Sequence, residues 1–110
     1  MSGRKKAKYP PFVALSRIML KGQEWRKLSR PAMIIYIYLK YKYVGHNNGE
    51  IQLHYSELKD IFAPATMSKA LRELKGSGWI EVAKVGGLYR YFNLYRLTGK
   101  YDTALSNYNF

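Results

Sequence analysis

The chain has 110 residues, 47% of them hydrophobic, enough for one core and too few for two independent ones. Nineteen Lys+Arg against seven Asp+Glu leave a formal charge of +12, so a polyanionic partner is expected, either nucleic acid or an anionic membrane surface. The absence of cysteine removes disulfide frameworks, thiolate metal sites and Cys nucleophiles, and no apolar stretch approaches the roughly 18 residues of a membrane span.

Residues 1–11 read as a basic arm. Arg4, Lys5, Lys6 and Lys8 precede Pro10-Pro11, which force an extended backbone, and no apolar signal core follows them. The apolar run 12–15 could form an edge strand. Ser16 then caps a short helix over 17–21 that Gly22 ends, and 23–28 reads as another helical turn with Trp25 and Leu28 on one face.

Ser29-Arg30-Pro31 is a helix start, with serine at the cap and proline in the first turn, where its missing N–H has no partner to lose. The helix is expected over 30–43. Ala32, Ile35, Leu39 and Lys42 mark one stripe, and Ile34, Ile37, Tyr38 and Tyr41 widen it, so the helix should be covered on more than one side. Tyr36, Tyr38, Tyr41 and Tyr43 fit core and rim packing better than a stacking platform, because helical spacing scatters them around the axis. The segment 45–49 is a turn by composition, and 50–54 alternates with period two, which predicts a strand with Ile51 and Leu53 inward. Ser56 is placed to cap a second core helix over 57–62 with Leu58, Ile61 and Phe62 buried.

A tight connection through Ala63-Pro64 leads to a third core helix ending near Lys75, stopped by Gly76-Ser77-Gly78. At 100° per residue, Met67, Ala70, Leu71 and Leu74 fall on one inward stripe, and Ala65, Lys69 and Arg72 fall opposite, flanked by Ser68 and Glu73. Two strands over 79–85 and 88–97, joined at Gly86-Gly87, form a hairpin, with Trp79 read as a buried anchor. Residues 99–110 read as a tail.

Charge is uneven along these elements. Residues 1–30 hold nine basic and one acidic side chain, 31–60 hold three of each, and 61–110 hold seven against three. The two histidines, His46 and His54, lack a further ligand at metal spacing, and no Ser-His-Asp order or phosphate-cradling glycine run is present. No catalytic residue, metal or cofactor is therefore assigned.

The pieces Tyr55-Ser56-Glu57-Leu58, Thr66-Met67-Ser68-Lys69-Ala70-Leu71-Arg72-Glu73-Leu74, Gly78-Trp79-Ile80 and Tyr95-Arg96-Leu97-Thr98 carry a family resemblance. Residues 50–98 resemble the winged-helix core of bacterial DNA-binding proteins, and 12–48 are similar to the lead-in of small regulators and plasmid or phage replication proteins. The resemblance implies an α+β, mainly α fold: a winged helix-turn-helix with a C-terminal β-hairpin wing. A short strand would lie between the first core helix and the helix-turn-helix. The domain would span 12–98, between the arm and the tail.

It also implies double-stranded DNA as partner, a role in transcription regulation, replication or partition, and a cytoplasmic, nucleoid-associated location with no membrane partner. The reading helix would present Ala65, Thr66, Ser68, Lys69, Arg72 and Lys75 to the major groove, with Arg72 as the first choice of base reader. The wing would bring Lys84, Gly86, Gly87, Tyr89 and Arg90 to the backbone, and Arg4, Lys5, Lys6 and Lys8 of the arm would track phosphates. A homodimer on a two-part site would raise specificity, its seam formed by the first helices or by the C-terminal segment. The alternative is a winged-helix protein-interaction module without direct DNA readout.

Overall fold

A computed structural model describes residues 12–86 and 93–102. It has an α+β, mainly helical architecture: four α-helices, a 3-10 turn and a two-stranded antiparallel sheet. The helices are α1 (Arg17–Lys21), α2 (Gln23–Arg26), α3 (Arg30–Lys42) and α4 (Pro64–Gly76); the strands are β1 (Ile80–Lys84) and β2 (Leu94–Leu97).

Helix starts follow local chemistry. The Ser16 hydroxyl accepts from the Met19 N–H at 3.3 Å, and the Ser29 hydroxyl accepts from the Ala32 N–H at 3.3 Å, each satisfying an orphan donor of the first turn. Pro31 and Pro64 occupy first-turn positions of α3 and α4, where their fixed φ is already helical. The end of α4 is equally specific. Gly78 takes φ +88, which lets the Trp79 N–H reach the Leu74 carbonyl at 2.9 Å and the Gly78 N–H reach Lys75 at 3.2 Å. That paired closure is a Schellman motif, and it aims the chain from α4 directly into β1.

The core gathers one side of each element. Ala32, Ile35, Tyr36 and Leu39 of α3 pack against Met67, Ala70, Leu71 and Leu74 of α4, and the cluster extends through Met19, Trp25 and Leu28, through Ile51, Leu53 and Leu58, and into Trp79, Ile80, Tyr95 and Leu97. Trp79 sits among rings, edge-on to Trp25 at 5.6 Å and to Tyr36 at 5.1 Å between centroids and tilted against Tyr101 at 4.8 Å.

The sheet pairs Ile80 with Leu97 and Val82 with Tyr95, with an irregularity between Val82 and Lys84. The expected strand over 50–54 is reduced to one bridge, in which Ile51 and Tyr95 exchange both backbone hydrogen bonds at 3.2 and 2.7 Å. A side chain continues the ladder: the Asn48 amide donates to the Leu97 carbonyl at 2.9 Å and accepts from the Leu97 N–H at 2.8 Å. Ile51 and Leu53 are nevertheless buried, as their alternation requires.

Three other expectations change. Residues 12–15 carry no strand. The helix expected over 57–62 is a 3-10 turn, Tyr55–Leu58, and Ile61 is exposed instead of buried. Pro64 explains this, since it holds Ala63 extended (ψ 154) and leaves too few residues for an α-helix to develop. Finally, the chain beyond β2 reaches inward. Asp102 is buried and accepts from Lys40 Nζ at 2.7 Å, Tyr36 Oη at 2.8 Å and the Ser16 N–H at 3.2 Å. Among the described residues, no helix is long and apolar enough to cross a membrane.

Candidate nucleic-acid interface

The amphipathic pattern of α4 decides which side chains face out. Its stripe of Met67, Ala70, Leu71 and Leu74 is buried, so the opposite side, with Ala65, Lys69, Arg72 and Lys75, stands in solvent. Thr66 and Ser68 are half-exposed at its edge. The structure thus brings together the six residues expected on this helix. Arg72 Nη1 donates to Ser68 Oγ at 3.1 Å, one turn earlier, which draws the guanidinium toward the N-terminal half of the helix.

The acidic side chains are arranged to leave that face cationic. Glu73, the one carboxylate on α4, accepts from the Ser29 N–H at 2.8 Å and the Ser29 hydroxyl at 2.6 Å, so it serves the start of α3. Glu57 pairs with Lys42 at 2.7 Å, Glu81 with Arg96 at 3.2 Å, Glu24 with Lys27 at 3.6 Å, and Asp102 with Lys40. The Glu57 carboxyl is held below its ordinary range: burial works against ionisation, and the Lys42 ammonium and the His54 N–H outweigh it. Among the described residues, none of Lys69, Arg72, Lys75 or Lys84 takes part in an ion pair.

A cleft of about 140 Å³ separates α4 from the sheet, bounded by Ser68, Arg72 and Lys75 on one wall and Val82, Asn93 and Tyr95 on the other, with Tyr55 at one end. Burial holds the Tyr95 phenol above its ordinary value, so this wall stays neutral at physiological pH. The Gly86 N–H donates to Asn93 Oδ1 at 2.8 Å and ties the two arms of the hairpin together just beyond Lys84, which is exposed. Gly87, Tyr89 and Arg90 of the expected wing, and Arg4, Lys5, Lys6 and Lys8 of the arm, lie outside the described residues.

Tyr55 and Asn93 are cleft residues that sequence reasoning passed over. Tyr55 opens one of the motifs already singled out, whereas Asn93 has no local signature. Comparison with protein-family models, with curated proteins and with solved structures finds no match to this chain.

Proposed function

We propose that the chain is a winged helix-turn-helix protein that binds double-stranded DNA, reading with α4 and clamping with the hairpin and the basic arm. The observation that carries this reading is the exposed face of α4, whose Lys69, Arg72 and Lys75 have no carboxylate partner among the described residues while Glu73 is turned to Ser29. Element order supports it: α3, the Ile51 bridge, the 3-10 turn, α4 and the hairpin follow one another as a winged helix requires, with the helix before the turn shortened to 3-10 form.

The physical fit is direct. A 13-residue helix is about 20 Å long and enters a major groove roughly 12 Å wide, N-terminal half first. Ala65, Thr66 and Ser68 are small enough to let the helix approach base edges, Lys69 and Lys75 reach phosphates, and the Arg72 fork meets a guanine edge. Lys84 and the hairpin tip then rest on the flanking backbone. A regulator of transcription, or a replication or partition factor, uses such a module.

Random-sequence duplex titrated at increasing salt tests the reading. Lys69, Lys75 and Lys84 on phosphates give a log–log slope near −2.7, about −0.9 for each contact, and each arm cation that joins them steepens it. Lys69→Ala should lower the slope by about one contact, and Arg72→Ala should lower affinity by roughly tenfold, both without loss of thermal stability. Salt-independent or absent binding would sink the proposal and favour a protein-interaction module.

A further inference from the structure

α3 is apolar around nearly its whole circumference, yet the fold covers only one side of it. Ala32, Ile35, Tyr36 and Leu39 are buried, whereas on the opposite pole Ile34 is 43% exposed and Tyr41 61%, with Val44 at 62% just past the helix end. Ile37 and Tyr38 lie between them, half-buried with part of each side chain against the core, and the Tyr38 ring is tilted against that of Tyr41 at 5.1 Å between centroids. A surface helix ordinarily turns charge to water, as α4 does. This one turns isoleucine and tyrosine.

We propose that this pole is the seam of a homodimer in which α3 packs antiparallel against α3 of a second copy. The spacing is self-complementary about a twofold axis passing between Ile37 and Tyr38. Ile34 then meets Tyr41 of the other copy and Ile37 meets Tyr38, which is the isologous contact a twofold demands. Charge favours the same occupant and the same direction. Arg30 is exposed at the start of this pole and joins no ion pair among the described residues, and Glu50 borders the open groove beside Tyr41 and Val44 at its end.

Antiparallel packing brings Arg30 of each copy to the Glu50 end of the other; parallel packing sets like charges together. Residues 31–60 are also the electrically balanced third of a +12 chain, with three basic and three acidic side chains, so two copies meet there with least repulsion. A seam of one helix per copy is at the small end of specific interfaces, so the association is to be followed up to high protein concentration.

Sedimentation equilibrium of the full chain without nucleic acid, up to hundreds of micromolar protein, tests this. The expected mass is twice 12.8 kDa. Ile34→Glu and Tyr41→Glu should each give a monomer with an unchanged circular-dichroism melt. Arg30→Glu and Glu50→Arg should each raise the dissociation constant by about tenfold, counting two symmetric pairs, and the double reversal should restore it.

A native chain that stays monomeric overturns the proposal, as does dimerisation that survives Ile34→Glu and Tyr41→Glu. A monomeric full chain whose 1–102 form dimerises assigns the pole to the chain's own residues 103–110 instead. Because DNA is absent throughout, the result is independent of the function proposed for α4.

Discussion

Replacing Asp102 with asparagine keeps the shape of the most deeply buried polar cluster and removes its negative charge. The carboxylate is 1% exposed and accepts from Lys40 Nζ, Tyr36 Oη and the Ser16 N–H, at 2.7, 2.8 and 3.2 Å. The Lys40 side chain is itself fully buried. Breaking such a pair by removing one member costs about 3–5 kcal/mol, and the asparagine oxygen still accepts one hydrogen bond, which returns about 1 kcal/mol. The net loss of about 2–4 kcal/mol is a large part of the roughly 5–15 kcal/mol that holds a domain together. At about 4–8 °C per kcal/mol, the melting temperature should fall by at least ~8 °C. Urea unfolding of the parent, Asp102→Asn, Lys40→Met and the Lys40→Met/Asp102→Leu double variant measures it. The double variant should be less destabilised than the two single effects summed, because it leaves no buried charge, and the remaining loss reflects Tyr36 Oη and the Ser16 N–H without this acceptor. An Asp102→Asn variant within about 0.5 kcal/mol of the parent, or single effects that simply add, refutes the reasoning.

Other outcomes follow from the same geometry. Burial first, and then the Asp102 carboxylate, hold the Tyr36 phenol far above its ordinary value of 10.0. The folded state therefore favours the neutral phenol, so this stability is complete below about pH 10 and declines as pH rises further. Urea midpoints between about pH 9 and about pH 11 should drop more steeply for the parent than for Tyr36→Phe. Gly78→Ala should cost about 1–2 kcal/mol for backbone conformation alone, since a Cβ there meets nothing closer than 3.7 Å, whereas Gly76→Ala, in helical backbone with open space, should add about 0.5–1 kcal/mol. Thermal unfolding of the two variants separates these signs. Glu73→Ala removes both acceptors of Ser29 and should lower stability by about 1–2 kcal/mol without weakening duplex binding; weaker binding in an anisotropy titration would mean that Glu73 contributes to the reading face.

What the sequence made legible was whatever local spacing controls. Ser16 and Ser29 cap the helices they were expected to cap, and the stripe from Met67 to Leu74 turns inward and so exposes Lys69 and Arg72. Tyr95 and Leu97 are buried as well, in a piece that carries the family resemblance and whose strand parity no local spacing fixed. The misreadings lie where the outcome depends on distant partners. Lys40 joins none of the stripes read for residues 30–43 and Asp102 falls in the expected tail, because their contact joins positions 62 apart and leaves no periodic trace. The strand over 50–54 shows correct alternation, yet whether backbone or an asparagine amide completes the ladder depends on where Leu97 lies. In 57–62 the apolar positions satisfy a helical pattern that Pro64 leaves no length to realise.

The Asp102 contact has a consequence for biosynthesis. A chain emerging from the ribosome exposes Ser16, Tyr36 and Lys40 long before the carboxylate that joins them has been translated. Until then a hydrated ammonium stands where the finished interior must be dry, and α3 cannot settle. Native closure therefore waits until Asp102 has been translated, and any shorter fragment lacks the carboxylate that meets the buried Lys40 ammonium.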